Sequence, residues 1–199
     1  MDLNENKIKK PFFAPRVKKE IREWAVSLTV ALVAVLLIRT FLFTTVGVAG
    51  PSMESTLYTG DRLIVTILDV KLGGLNRFDV VVCHYPDRSE QFVKRVIGLP
   101  GETVEVKNGV TLINGEPLEE PFLYPDKVEK YRAGKLDFPP VEVPQGHYFV
   151  MGDHRDDSND SRPNPARRLA PKLIAQDQIL GHARYIMWPL DRIGAVEAR

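Results

Sequence analysis

One cysteine, Cys83, is all the chain contains, so an internal disulfide and a cysteine-based zinc site are excluded. Its four histidines, at positions 84, 147, 154 and 182, lack close ligand spacing, and no metal or other cofactor is expected. An excess of either charge is also missing. Lys and Arg number 27 against 26 Asp and Glu, a net charge of +1, which gives no basic field for nucleic-acid binding. Repeats and low-complexity runs are lacking, and 44% hydrophobic with 27% charged residues is an ordinary globular balance. A length of 199 residues allows one or two modest domains.

The averages hide a strong asymmetry. Residues 1–23 carry Lys7, Lys9, Lys10, Arg16, Lys18, Lys19 and Arg22 against four acids, and "WAVSLTVALVAVLLI", Trp24 to Ile38, then carries no charge. Fifteen residues of helix reach only about 22 Å, short of a hydrocarbon core of about 30 Å. Extending the run to Val46 gives a sufficient span, with Arg39 snorkelling to the headgroups. No polar face recurs, which argues against a soluble core helix. A cleavable signal peptide is the rival, with Gly47 and Ala49 at the −3 and −1 positions. The long basic segment, Arg39 and the distance to that cut favour an uncleaved anchor. The expected organisation is a cytoplasmic N-terminus (1–23), a transmembrane anchor (24–46) and an extracytoplasmic domain (47–199), oriented by the positive-inside bias. That places the chain in the plasma (inner) membrane, with the lipid bilayer as a partner.

Beyond residue 62 the pattern shifts to period two and to β-branched residues. Strands are predicted over 62–68, 78–85, 91–99 and 102–107, with another in "EVPQGHYFVMGD" and a last one in "HARYIMWPL". Asn-Gly pairs at 108–109 and 114–115 signal tight hairpins. A short helix is expected in "PARRLAPKLIAQDQILG". The fold class is mainly β: an antiparallel-sheet domain with a small β-rich excursion at about 105–145, preceded by one N-terminal transmembrane helix.

Three places concentrate polar groups. In "VAGPSMESTLYTGD", Gly50 allows close backbone approach and Pro51 stiffens the residue before Ser52, a rigid mount for a nucleophilic hydroxyl. In "EQFVKRVIGLPGE", strand alternation sets Phe92, Lys94 and Val96 on one face and Val93, Arg95 and Ile97 on the other. One of the two adjacent cations is expected to reach solvent and the other to be driven against apolar surface. A desolvated lysine loses its proton more easily and becomes a usable base. In "MGDHRDDSNDSRP", Asp160 and Arg162 can pair and brace a site, and Ser158 can hydrogen-bond a neutral amine. The same stretch lacks the ligand order of a calcium-binding EF-hand.

Taken in order behind an anchor, "GPSMESTL", "GDRLIV", "RFDVVVCHYPD…FVKRVIGLPGE" and "GDHRDDSNDSR" closely resemble the type I signal peptidase family over roughly residues 36–185. The resemblance implies a serine endopeptidase that removes signal peptides from exported preproteins after Ala-X-Ala junctions and works beside the export translocon. It implies Ser52 as nucleophile, Lys94 as general base, Ser158 orienting the amine, Asp160 and Arg162 bracing the site, and Asp153 as a structural acid. Arg95 would lie outside the cleft as a structural cation. Three positions depart from the pattern. Gly50 stands where many members have a hydroxyl donor to the oxyanion, Ser55 replaces a proline, and His154 replaces an asparagine. His154 opens a Ser-His-Asp reading, which the intact lysine block disfavours. A self-cleaving Ser/Lys repressor and a tethered noncatalytic β-domain are the remaining alternatives. The first would need a DNA-binding region that is not visible, and the second predicts indifference to Ser52→Ala and Lys94→Met.

Overall fold

A computed structural model describes residues 14–85, 90–123, 137–163 and 170–196. Lys7, Lys9 and Lys10, residues 124–136 of the expected excursion and residues 165–169 of the expected helix lie outside the described residues. The chain divides into two compact units, residues 1–40 and 41–199.

The first unit holds helix α1, Ala14–Phe41. Its large apolar side chains are exposed, Trp24 at 71% and Leu28 at 66%. Among the described residues no helix is long and apolar enough to cross a membrane. The anchor expected over 24–46 also overlaps a strand. Residues Phe43–Gly47 form β1 and pair antiparallel with β2, Arg62–Thr66. Thr44, Thr45 and Val46 are β-branched, or follow a β-branched residue, and suit a pleated surface better than a helix.

The second unit is built on two antiparallel sheets. The larger contains β1, β2, β3 (Val80–His84), β4 (Gln91–Gly98), β9 (His147–Met151), β10 (Ile174–Ala175) and β11 (Ile179–Trp188), in the order β1-β2-β11-β3-β4-β9-β10. A two-residue strand, β12 (Gly194–Ala195), pairs with β11. The smaller sheet runs β7-β6-β5-β8, from Thr103–Lys107 (β5), Val110–Ile113 (β6), Glu116–Pro117 (β7) and Phe138–Glu142 (β8). Both Asn-Gly pairs turn its hairpins. Asn108 and Asn114 take φ of 53° and 52° with positive-φ glycines behind them, the twist two-residue hairpins favour.

Two local expectations fail. Residues 67–68 leave the strand, and Leu68–Gly73 forms a short helix, α2, with the Asp69 carboxylate in its first turn accepting from the Val70 N–H. Ile174–Ala175 is a strand on His147–Tyr148 rather than part of a helix, with only a single 3-10 turn at Gln176–Gln178. Pro171 and the β-branched Ile174 work against helical propagation there.

Candidate active site

Ser52 sits on a tight turn between β1 and β2. Glu54 N–H donates to Pro51 C=O at 2.9 Å, and Leu57 N–H to Met53 C=O at 2.8 Å. Met53 and Leu57 are sunk in the core, at 1% and 0% exposure, so the turn is pinned by its apolar residues while Ser52 stays half-buried at the surface. Gly50 has φ +91°, and a Cβ there would touch nothing within 4 Å. Conformation rather than space thus selects glycine. Ser55 takes φ 106°, which a proline ring, locked near −65°, cannot adopt. Its hydroxyl donates to Phe122 C=O at 3.2 Å.

Lys94 and Arg95 leave opposite faces of β4, as alternation requires, but neither reaches solvent: they are 2% and 0% exposed. The expectation of one exposed cation is corrected because β4 lies inside the sheet between β3 and β9, with both faces covered. Their environments differ sharply. Arg95 makes a fork with Asp153, Nε to Oδ1 at 2.9 Å and Nη2 to Oδ2 at 2.7 Å, and also donates to Phe78 C=O and Thr56 Oγ1. The Lys94 amine lies among apolar neighbours, with Nζ 5.7 Å from the Phe92 ring centre. It is 2.8 Å from Ser52 Oγ and 2.9 Å from Val93 O. Burial pushes its pKa below the ordinary lysine value. Asp160, Cys83 and Asp153 oppose that shift and Arg162 adds to it. The neighbouring Cys83 thiol is pushed up to about 12 by the same burial, so it is a packed apolar group.

The third block folds over this pair. Asp160 and Arg162 form a two-pronged pair, both contacts 2.8 Å. Burial alone would raise the Asp160 pKa; Arg162, then the Gly152 N–H and Ser158, outweigh it and hold the carboxyl below its usual value. Asp153 carries Arg95 and accepts from Thr56 Oγ1 at 2.6 Å, joining β4 to the Ser52 turn. Ser158 does not hydrogen-bond the lysine. Its buried Oγ has no partner meeting full hydrogen-bond geometry, though it is close enough to Asp160 to favour the carboxylate. His154 meets Ser52 through its backbone, N–H to C=O at 3.1 Å. Its ring Nδ1 lies 3.6 Å from Glu54 and makes no hydrogen bond.

Sequence reasoning missed four residues that organise this cluster: Thr56, Gly152, Arg155 and Glu120. A Cβ on Gly152 would stand 2.2 Å from Ser158 Oγ and 2.4 Å from Ser52 O, so only glycine lets the acidic loop close on the Ser52 turn. Thr56, Gly152 and Arg155 lie inside the motif blocks, where their position was a usable signal. Glu120, in a proline- and acid-rich stretch, gave none.

A profile described as "Signal peptidase, peptidase S26" matches residues 21–188, and the chain belongs to that family, a family of peptidases. Signal peptidase I T of Bacillus subtilis (strain 168) is 40% identical over 174 residues, covering 86% of this chain and 87% of that one. Signal peptidase IB of Staphylococcus aureus (strain COL) is 39% identical over 184 residues, covering 87% and 92%. A crystal structure of a signal peptidase I from Enterococcus faecalis V583 is 33% identical, with a TM-score of 0.46, over 54% of this chain and 95% of that one.

Proposed function

We propose that the protein is a membrane-anchored signal peptidase I, cutting exported preproteins after small-X-small junctions with Ser52 as nucleophile and Lys94 as general base. The observation that carries the reading is a buried amine 2.8 Å from a hydroxyl on a rigid turn. In its neutral form the amine accepts the Ser52 proton as Oγ attacks the scissile carbonyl. The resulting ammonium protonates the leaving amine, and the neutral amine then activates the water that releases the acyl-enzyme. With Gly50 supplying no hydroxyl, backbone N–H groups, chiefly that of Ser52, serve the developing oxyanion. Asp160 with Arg162, and Arg95 with Asp153, hold the walls of the cleft.

The anchor is the apolar part of α1 from Trp24 onward, continuing past Arg39, whose long side chain snorkels to the outer headgroups. The basic flank of residues 1–23 keeps the N-terminus in the cytoplasm and the sheets outside. A signal peptide's apolar segment then meets the site at the bilayer surface, near the export translocon. Its cleavage region adds to an exposed strand edge as an extended peptide.

Purified full-length protein in detergent, given a preprotein with an Ala-X-Ala junction, should release the mature product. Ser52→Ala and Lys94→Met should each abolish release. Equal processing by all three proteins would eliminate the mechanism.

A further inference from the structure

A run of three residues from the edge of the small sheet touches all three blocks of the site at once. The chain leaves β7 through Leu118, whose N–H donates to Thr111 C=O at 2.9 Å, and turns at Glu120–Leu123. Phe122 C=O accepts the Ser55 hydroxyl of the nucleophile turn. The Phe122 ring, 5% exposed, lies 4.1 Å beneath the Arg95 guanidinium, next along the chain from the base. Glu120 grips Arg155 of the acidic loop. One oxygen pairs with Nη2, and the other accepts from Nη1 at 3.1 Å and from Thr111 Oγ1 at 2.9 Å. Arg155, itself 5% exposed, donates from Nε to Gly152 O and accepts Arg162 Nη2 on its own carbonyl at 2.8 Å.

We propose that Glu120 and Phe122 are positioning residues that set the Ser52–Lys94 geometry, so that the small sheet is part of the catalytic machinery. This rests on the signal peptidase reading above. The buried charges support it. Three guanidinium groups face three carboxylates: Arg95 with Asp153, Arg162 with Asp160, and Arg155 with Glu120. Without Glu120, Arg155 becomes a buried cation without its own partner and must draw on Asp153 or Asp160. Either choice loosens a wall that holds Ser52 or the space around Lys94. It also leaves the pocket more positive, so the Lys94 ammonium is disfavoured further. Displacing reacting groups by about 1 Å costs up to about 100-fold in rate.

The test is steady-state cleavage by the full chain in detergent, per folded molecule, for wild type, Lys94→Met, Glu120→Gln, Glu120→Asp and Phe122→Leu. Glu120→Gln should lower kcat by about 10- to 100-fold, leave KM within about twofold because its carboxylate is taken up by Arg155 and Thr111, and move the rise of activity to lower pH. Glu120→Asp should restore most of kcat and the wild-type rise. Phe122→Leu, which removes no charge, should lower kcat without moving the rise, and it carries the test if Glu120→Gln fails to fold. Wild-type kcat and pH dependence in folded Glu120→Gln, or in Phe122→Leu when it must stand in, would overturn the proposal. So would equal loss in Glu120→Gln and Glu120→Asp with an unmoved rise. Inactive wild type or fully active Lys94→Met would strike the signal peptidase reading instead.

Discussion

Two cations stand side by side on β4 and meet different fates. Arg95 has a planar fork, a matching carboxylate and an aromatic ring, the arrangement in which a buried guanidinium is tolerated. Among the described residues Lys94 pairs with no carboxylate, so burial acts on it directly and lowers its pKa. A lysine whose folded pKa is depressed binds fewer protons folded than unfolded, so stability rises with pH between its folded value and 10.5. At neutral pH it therefore weakens the fold. Lys94→Met should be inactive yet melt higher than wild type near pH 7, with the gap closing as pH approaches 10.5, as calorimetry can check. Arg95→Met should behave oppositely, losing about 3–5 kcal/mol in chemical denaturation because Asp153 is left buried and unpaired. Gly152→Ala forces a methyl group against Ser52 O and should cut kcat by about 100-fold at unchanged expression. At this scale the sequence was informative about identity and poor about environment. Motif order marked Ser52, Lys94, Asp153, Asp160 and Arg162, and alternation separated Lys94 from Arg95. That both are buried depends on β9 closing over β4 from more than fifty residues away, which no local pattern encodes.

Elements were legible where chemistry is local. The Asn-Gly turns fixed the small sheet's hairpins, and period-two runs located β2 to β5 within a few residues. Helix α2 was missed because "ILDVKLGG" continues the apolar run of β2; only the acidic Asp69 in its first turn and the glycines at its end mark the change. The break between α1 and β1 was missed because apolar residues continue across it, whereas the pairing of Phe43–Gly47 with β2 is a tertiary gain. The nucleophile turn yields a prediction against its own family pattern. Ser55→Pro, though it restores the usual residue, meets a φ of 106° and should destabilise by more than about 1 kcal/mol, measured as a shift in denaturation midpoint at constant slope.

For the whole molecule, the larger sheet holds Lys94, the turn after β1 holds Ser52, and the loop after β9 packs against both elements. The smaller sheet touches that assembly through Glu120 and Phe122. In the proposed function the N-terminal helix adds an address. Under the proposed topology, protease added outside intact cells should degrade residues beyond 47, and full protection of that portion would reverse the orientation. The proposed mechanism rests on one condition, an uncharged Lys94 amine at the Ser52 hydroxyl. The most direct measurement is the pH titration of the Lys94 side-chain carbon resonance beside the pH dependence of kcat/KM. The account predicts one shared midpoint well below 10.5; a Lys94 that titrates at 10.5 while activity rises at lower pH would contradict it.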